Sequence, residues 1–165
     1  MDQTQIRKRV KLLIGFFIVG LFLSGLTAIP LTHGATWLHE TFGVGSSFGE
    51  MWPGMAEWCT FVNNGVQETS IKYPFLAYGT DWLAFGHFVL ALAFVGPLRD
   101  PVKNVWVIQF GMIACVLVVP YALIFGYVRG IPLSWRVIDC SFGVIGILPL
   151  WLVRNYIRKL EAETT

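Results

Sequence analysis

Four stretches of the chain are apolar with no strand-like alternation, and only one of the connections between them is long. The runs extend from Leu12 to Leu31, from about Leu76 to Leu98, from about Val105 to Val128 and from about Val137 to Val153. Each approaches the roughly 20 residues that a helix needs to cross about 30 Å of hydrocarbon, the fourth being the shortest. In lipid a helix satisfies its own backbone groups, and the short connections after the second and third runs exclude other architectures. The pattern predicts an all-α polytopic membrane protein. It is a four-transmembrane-helix bundle forming one membrane domain over residues 1–165, with an amphipathic external segment over 32–75.

That segment is rich in aromatics where an ordinary loop would be polar. Pro53 can open a helix, after which Met55, Trp58, Cys59, Val62 and Val66 recur at helical spacing while Glu57, Asn63 and Asn64 take other faces. A shorter piece from Ala35 to Phe42 can form a second helix. Such a segment can rest on the membrane, cover an outward-opening cavity or dock another subunit.

The first run follows Arg7, Lys8, Arg9 and Lys11. It exceeds the usual core of about 7–15 residues in a secretory signal and has no A-x-A site after it, so it reads as a retained anchor. Arg7, Lys8, Arg9, Lys11, Arg99, Lys103, Arg154, Arg158 and Lys159 share one side of the expected topology, against Lys72, Arg129 and Arg136 on the other. The positive-inside bias therefore puts both termini in the cytoplasm. Trp106 and Trp151 then fall at the inner interface, and Tyr73, Trp82, Tyr127 and Trp135 at the outer one.

Composition agrees with lipid as the solvent: 55% apolar residues, 13% charged and a mean hydropathy of +0.63. The formal charge of +2 comes from basic residues flanking the apolar runs, not from one patch, which argues against nucleic acid as a partner. Cys59, Cys115 and Cys140 form no CxxC pair and read as free or packed thiols. A Cys59–Cys140 disulfide stays open, because the topology places both near the outer face. Gly20 and Ser24 make a small-xxx-small pair in the first span, and Gly143 and Gly146 lighten one side of the fourth. Pro120 lies well inside the third span, where a kink can open a gap between helices.

Ionisable groups inside a span each require a partner or a purpose. Asp81, His87 and Asp139 are such groups, with Arg129 and Arg136 near the outer ends of their helices. Arg136 and Asp139, three apart, can pair, and Asp81 is near the same depth. The five residues form either a structural ion-pair cluster or a polar site for a ligand head group. His87 is about 240° from Asp81 on an ideal helix, so the two are no local dyad. Gln109, Tyr121 or Ser141 could hydrogen-bond its imidazole.

The chain lacks a phosphate loop, HExxH, a nucleophile elbow or paired metal-ligand spacing. No metal site and no cofactor are expected, and no catalytic residue is assigned. The leading expectation is a non-catalytic protein that binds a lipid-like small molecule or serves as an accessory subunit, alone, as a homo-oligomer or with another membrane protein. A membrane enzyme using Asp81 or His87 as acid or base on an apolar substrate is the alternative, and a haem-binding redox subunit a lesser one.

The stretches YPFLAYGTDWLAFGHF, GPLRDPVKNVWVIQFGMIACVLVVPYALIFG and RGIPLSWRVIDCSFGVIGILPLW, with SGLTAIPL more loosely, resemble a group of small four-span bacterial membrane proteins with no assigned activity. The resemblance implies a bacterial plasma-membrane setting and no mechanism. In outline the four-span layout is also similar to the sterol-isomerase and sigma-2-receptor group, where membrane carboxylates bind cationic amphiphiles. That similarity is one of architecture alone.

Overall fold

The computed structural model describes residues 2–162, and these are all-α. The helices are α1 (Gln3–Ala28), α2 (Leu31–Phe42), α3 (Ser47–Met51), α4 (Pro53–Lys72), α5 (Tyr78–Ala93), α6 (Val95–Arg99), α7 (Val105–Val128) and α8 (Leu133–Ala162), with a 3-10 turn over Pro74–Ala77 leading into α5. Four stretches are long and apolar enough to cross a membrane: Gln3–Ala28, Pro74–Arg99, Val105–Val128 and Leu133–Ala162. The third matches the expected run, whereas the others have different ends. The first helix stops at Ala28, because Pro30 has no N–H with which to continue it. The fourth reaches Ala162 and not Val153.

The chain divides into two compact units, residues 1–21 with 89–165, and residues 22–88. In the first unit, segments of three helices share one core with Phe94, which lies between α5 and α6. Ile6, Val10 and Ile14 of α1 meet Phe94, Ile108 of α7, and Leu150, Val153, Ile157 and Leu160 of α8. The spacings of four on α1 and of three and four on α8 put each set on one helix face. This explains the longer α8: the apolar stripe continues past Val153 between Arg154, Arg158 and Lys159. At this charged end water is the competing solvent, so burying each aliphatic side chain is worth about 1.5–3 kcal/mol. Within the candidate spans, where lipid in place of water would remove the hydrophobic driving force between helices, close packing carries the association.

Small residues permit that packing. A methyl group on Gly143 would collide with the Cys115 carbonyl, and one on Gly146 would come within 3.0 Å of the Cys115 Sγ. The outward faces of α7 remain apolar, with Val116 57%, Leu117 58% and Ile124 58% exposed. Such an exterior suits lipid and not water. α7 continues through Pro120 without a break. It ends in a Schellman motif: Ile131 N–H donates to Gly126 O at 2.8 Å and Gly130 N–H to Tyr127 O at 3.1 Å. Gly130 takes the left-handed conformation that the motif requires (φ +71°).

The second unit contains α2, α3 and α4 with the adjoining parts of α1 and α5. Gln67 of α4 reaches Thr32 and Thr36 of α2, while His39 of α2 meets Thr60 of α4, so the two helices run antiparallel. Buried Ala35, Ala56 and Cys59 are small enough to let them approach closely. α3 is capped by Ser46, whose Oγ accepts from Gly49 N–H at 2.9 Å, and α4 has Pro53 in its first turn. Met55, Trp58, Val62 and Val66 lie on the half-buried side of α4 as expected, with Glu57 and Asn64 exposed. Asn63 also turns inward, toward Gln67. Close contact with α1 occurs at Gly25, where an added methyl would lie 2.9 Å from both the Ala84 carbonyl and the His87 Cβ. Gly20 has open space around it.

Candidate functional site

Asp81 stands in the first turn of α5 and is exposed. A carboxylate there is favoured by the partial positive charge of the helix N-terminus. Tyr78, Trp82 and Phe85 share its side of the helix, and together the four residues line a shallow groove of about 230 Å³. Their rings lock edge to face, Tyr78 on Trp82 with centroids 6.0 Å apart and Trp82 on Phe85 at 5.6 Å. Such pairs hold one another's orientation and keep the groove's walls in place. Asp81 takes part in no ion pair among the described residues. Within residues 22–88 the only Lys or Arg is Lys72. Its ammonium group lies over the Tyr73 ring, 5.4 Å from the centroid.

His87 is half-buried and lies outside this groove. Its Nδ1 is 2.8 Å from the Leu83 carbonyl one turn earlier. A carbonyl only accepts, so Nδ1 is the donor in this contact. The imidazole is thus satisfied by its own helix. Ser141, one of the partners considered for it, likewise bonds its own helix at Ile138 O, 2.6 Å away. Of the other histidines, His39 meets Thr60 at 3.2 Å, and His33 lines the cleft between α2 and α4.

Arg129, Arg136 and Asp139 belong to the other unit. Arg136 does not pair with Asp139. Its aliphatic stem reaches from α8 to cover Gly126 of α7, where a Cβ would block it. Nη1 donates to the Leu123 carbonyl at 3.3 Å, and the guanidinium stands 5.9 Å from the Tyr127 ring centroid. A cation at the carbonyl end of α7 is well placed electrostatically. Its Nε is buried without a hydrogen-bond partner. Arg136 is therefore a bracket between α7 and α8. Arg129 caps α7 and is exposed, and Asp139 is half-buried on α8.

No family model, curated protein or solved structure matches the chain. The chemistry of the site therefore rests on its own residues.

Cys59, Cys115 and Cys140 are free thiols, with no bridge between Cys59 and Cys140. Burial pushes the Cys59 thiol above its ordinary value, which keeps it protonated and unreactive near neutral pH. Among the described residues no three His, Cys, Asp or Glu side chains gather as metal ligands. Sequence reasoning missed the groove between α2 and α4, lined by Thr32, His33, Thr36, Trp37, Glu40 and Gln67. Its signal was present in α2, where the first five recur at positions i, i+1, i+4, i+5 and i+8.

Proposed function

We propose that this chain is a multi-pass protein of a bacterial plasma membrane with both termini cytoplasmic, which binds a lipid-like amphiphile through a cationic head group at Asp81. The observation that carries this reading is an exposed carboxylate, free of any ion pair among the described residues, in a helical stretch apolar enough to cross a membrane. Asp81 lies seven residues after Pro74, so about 10 Å along that stretch, a depth that the head group of an intercalated amphiphile reaches. An ammonium group would pair with the carboxylate and lie against Trp82 and Tyr78, whose π faces attract cations. The alkyl tail would follow the exposed Leu83 and Phe85 toward the lipid.

The role proposed for the groove is to bind and orient, and His87 lies outside it. Native mass spectrometry of the purified protein with oleylamine and, separately, oleyl alcohol tests the reading. Oleylamine should be retained and the alcohol not, and Asp81→Asn should weaken retention at least tenfold while helical content stays unchanged. Equal retention of both probes, or an Asp81→Asn variant that binds as well as the parent, overturns it.

An accessory role is the second reading. It is favoured by the exposed apolar side chains of α2–α4 and their connections, notably Trp37, Phe48, Trp52 and Phe61, a surface suited to another membrane subunit.

A further inference from the structure

The cleft between α2 and α4 has a volume of about 340 Å³ and lies outside the spans. Its polar groups are unequally engaged. Gln67 directs its amide nitrogen inward, donating to Thr36 Oγ1 at 2.9 Å and Thr32 O at 3.1 Å and lying 3.4 Å from Asn63 Oδ1. Thr36 in turn donates its own hydroxyl proton to Thr32 O at 3.0 Å. These bonds hold Gln67 in place and leave its Oε1 as an acceptor with no partner among the described residues. Glu40, exposed in the last turn of α2, adds a carboxylate that takes part in no ion pair there.

A carboxylate at a helix C-terminus adds to the negative end of the dipole, so α2 gains nothing electrostatically from Glu40. Trp37, one turn before it and 60% exposed, supplies an aromatic face. The surroundings have the same sign. Residues 22–88 hold Glu40, Glu50, Glu57, Glu68 and Asp81 against Lys72, a formal balance of −4 from five acids and one base. Acceptor oxygens, a π face and a negative field select a cation that carries N–H donors.

We propose that this cleft is a binding site for a small linear alkylammonium ion from the aqueous phase. The ammonium group binds the Glu40 carboxylate beside the Trp37 ring, and the chain of the ligand runs along the cleft toward Gln67. The site is separate from the Asp81 groove and takes a water-soluble ligand instead of an amphiphile.

Isothermal titration of the full chain in dodecyl maltoside with n-butylammonium chloride, and with sodium butyrate as the charge-reversed control, tests it. Saturable binding of butylammonium is expected, with none of butyrate. Glu40→Gln and Trp37→Leu should each weaken it at least tenfold. Glu57→Gln removes one charge from an exposed side of α4 and should change the affinity less than twofold. No saturable butylammonium binding, equal binding of butyrate, insensitivity to Glu40→Gln and Trp37→Leu, or an equal loss in Glu57→Gln each overturns the proposal. Because Glu40→Gln is decisive with butylammonium and Asp81→Asn with oleylamine, failure of one site is distinguishable from failure of the other.

Discussion

A single absent methyl group sets how closely α8 approaches α7. At Gly143 a Cβ would collide with the Cys115 carbonyl, a backbone group that moves only with its helix. Gly143→Ala should therefore destabilise the protein by about 1–3 kcal/mol, the usual range for overpacking. Gly20→Ala meets nothing within 4 Å and should be neutral or stabilising by up to about 1 kcal/mol, since alanine is the better helix former. Chemical unfolding of both variants in dodecyl maltoside checks the contrast, and equal losses would contradict it. Both glycines belong to small-residue pairs visible in the sequence, yet only the one on α8 sits at a contact. A span that is apolar all round shows no preferred face, so spacing alone does not reveal which small residue meets a neighbour. Asp81 and Arg136 make the same point. Each stood out as a charge near a span, and only their surroundings separate an open carboxylate in an aromatic groove from a guanidinium engaged in bracing two helices.

Helix boundaries followed the local chemistry wherever that chemistry was strong. Pro53 starts α4, Pro30 separates α1 from α2, and Gly130 followed by Pro132 ends α7 and precedes α8. The start of α1 and the end of α8 lie where the apolar run gives way to an amphipathic stripe, and a window tuned to membrane spans stops short at both. In the external segment the pairing of α2 with α4 depends on polar contacts. Thr60 Oγ1 accepts from the Val44 amide at 3.0 Å and meets His39 Nδ1 at 3.2 Å, tying the end of α2 and its following turn to the middle of α4. Thr60→Val keeps the shape and removes both bonds. It should cost about 1–2 kcal/mol of local stability and speed hydrogen exchange at the Val44 amide relative to amides within α7. An unchanged Val44 rate would mean that this contact does not hold the turn.

At the scale of the whole molecule, charge is distributed unevenly along the chain. Residues 22–88 carry a formal −4, whereas Arg7, Lys8, Arg9, Lys11, Arg99, Lys103, Arg154, Arg158 and Lys159 flank the spans elsewhere. The proposed topology turns this into a measurement. In inner-membrane vesicles of known orientation, Glu57→Cys and Arg99→Cys in a background lacking Cys59, Cys115 and Cys140 should react with an impermeant thiol reagent from opposite sides. Labelling from the same side would overturn the topology. The helical class, the number of candidate spans and the bounds of the third were determined by sequence alone. Backbone groups placed in lipid can be satisfied only within a helix or a closed barrel, and runs of about 20 apolar residues specify the former. Tertiary structure decided which glycines let helices touch, that Asp81 has aromatic walls, and that Glu40, Trp37 and Gln67 share one cleft. Those outcomes depend on the rotation of each helix about its axis and on the pairing of residues about 30 positions apart, and neither is encoded in local periodicity.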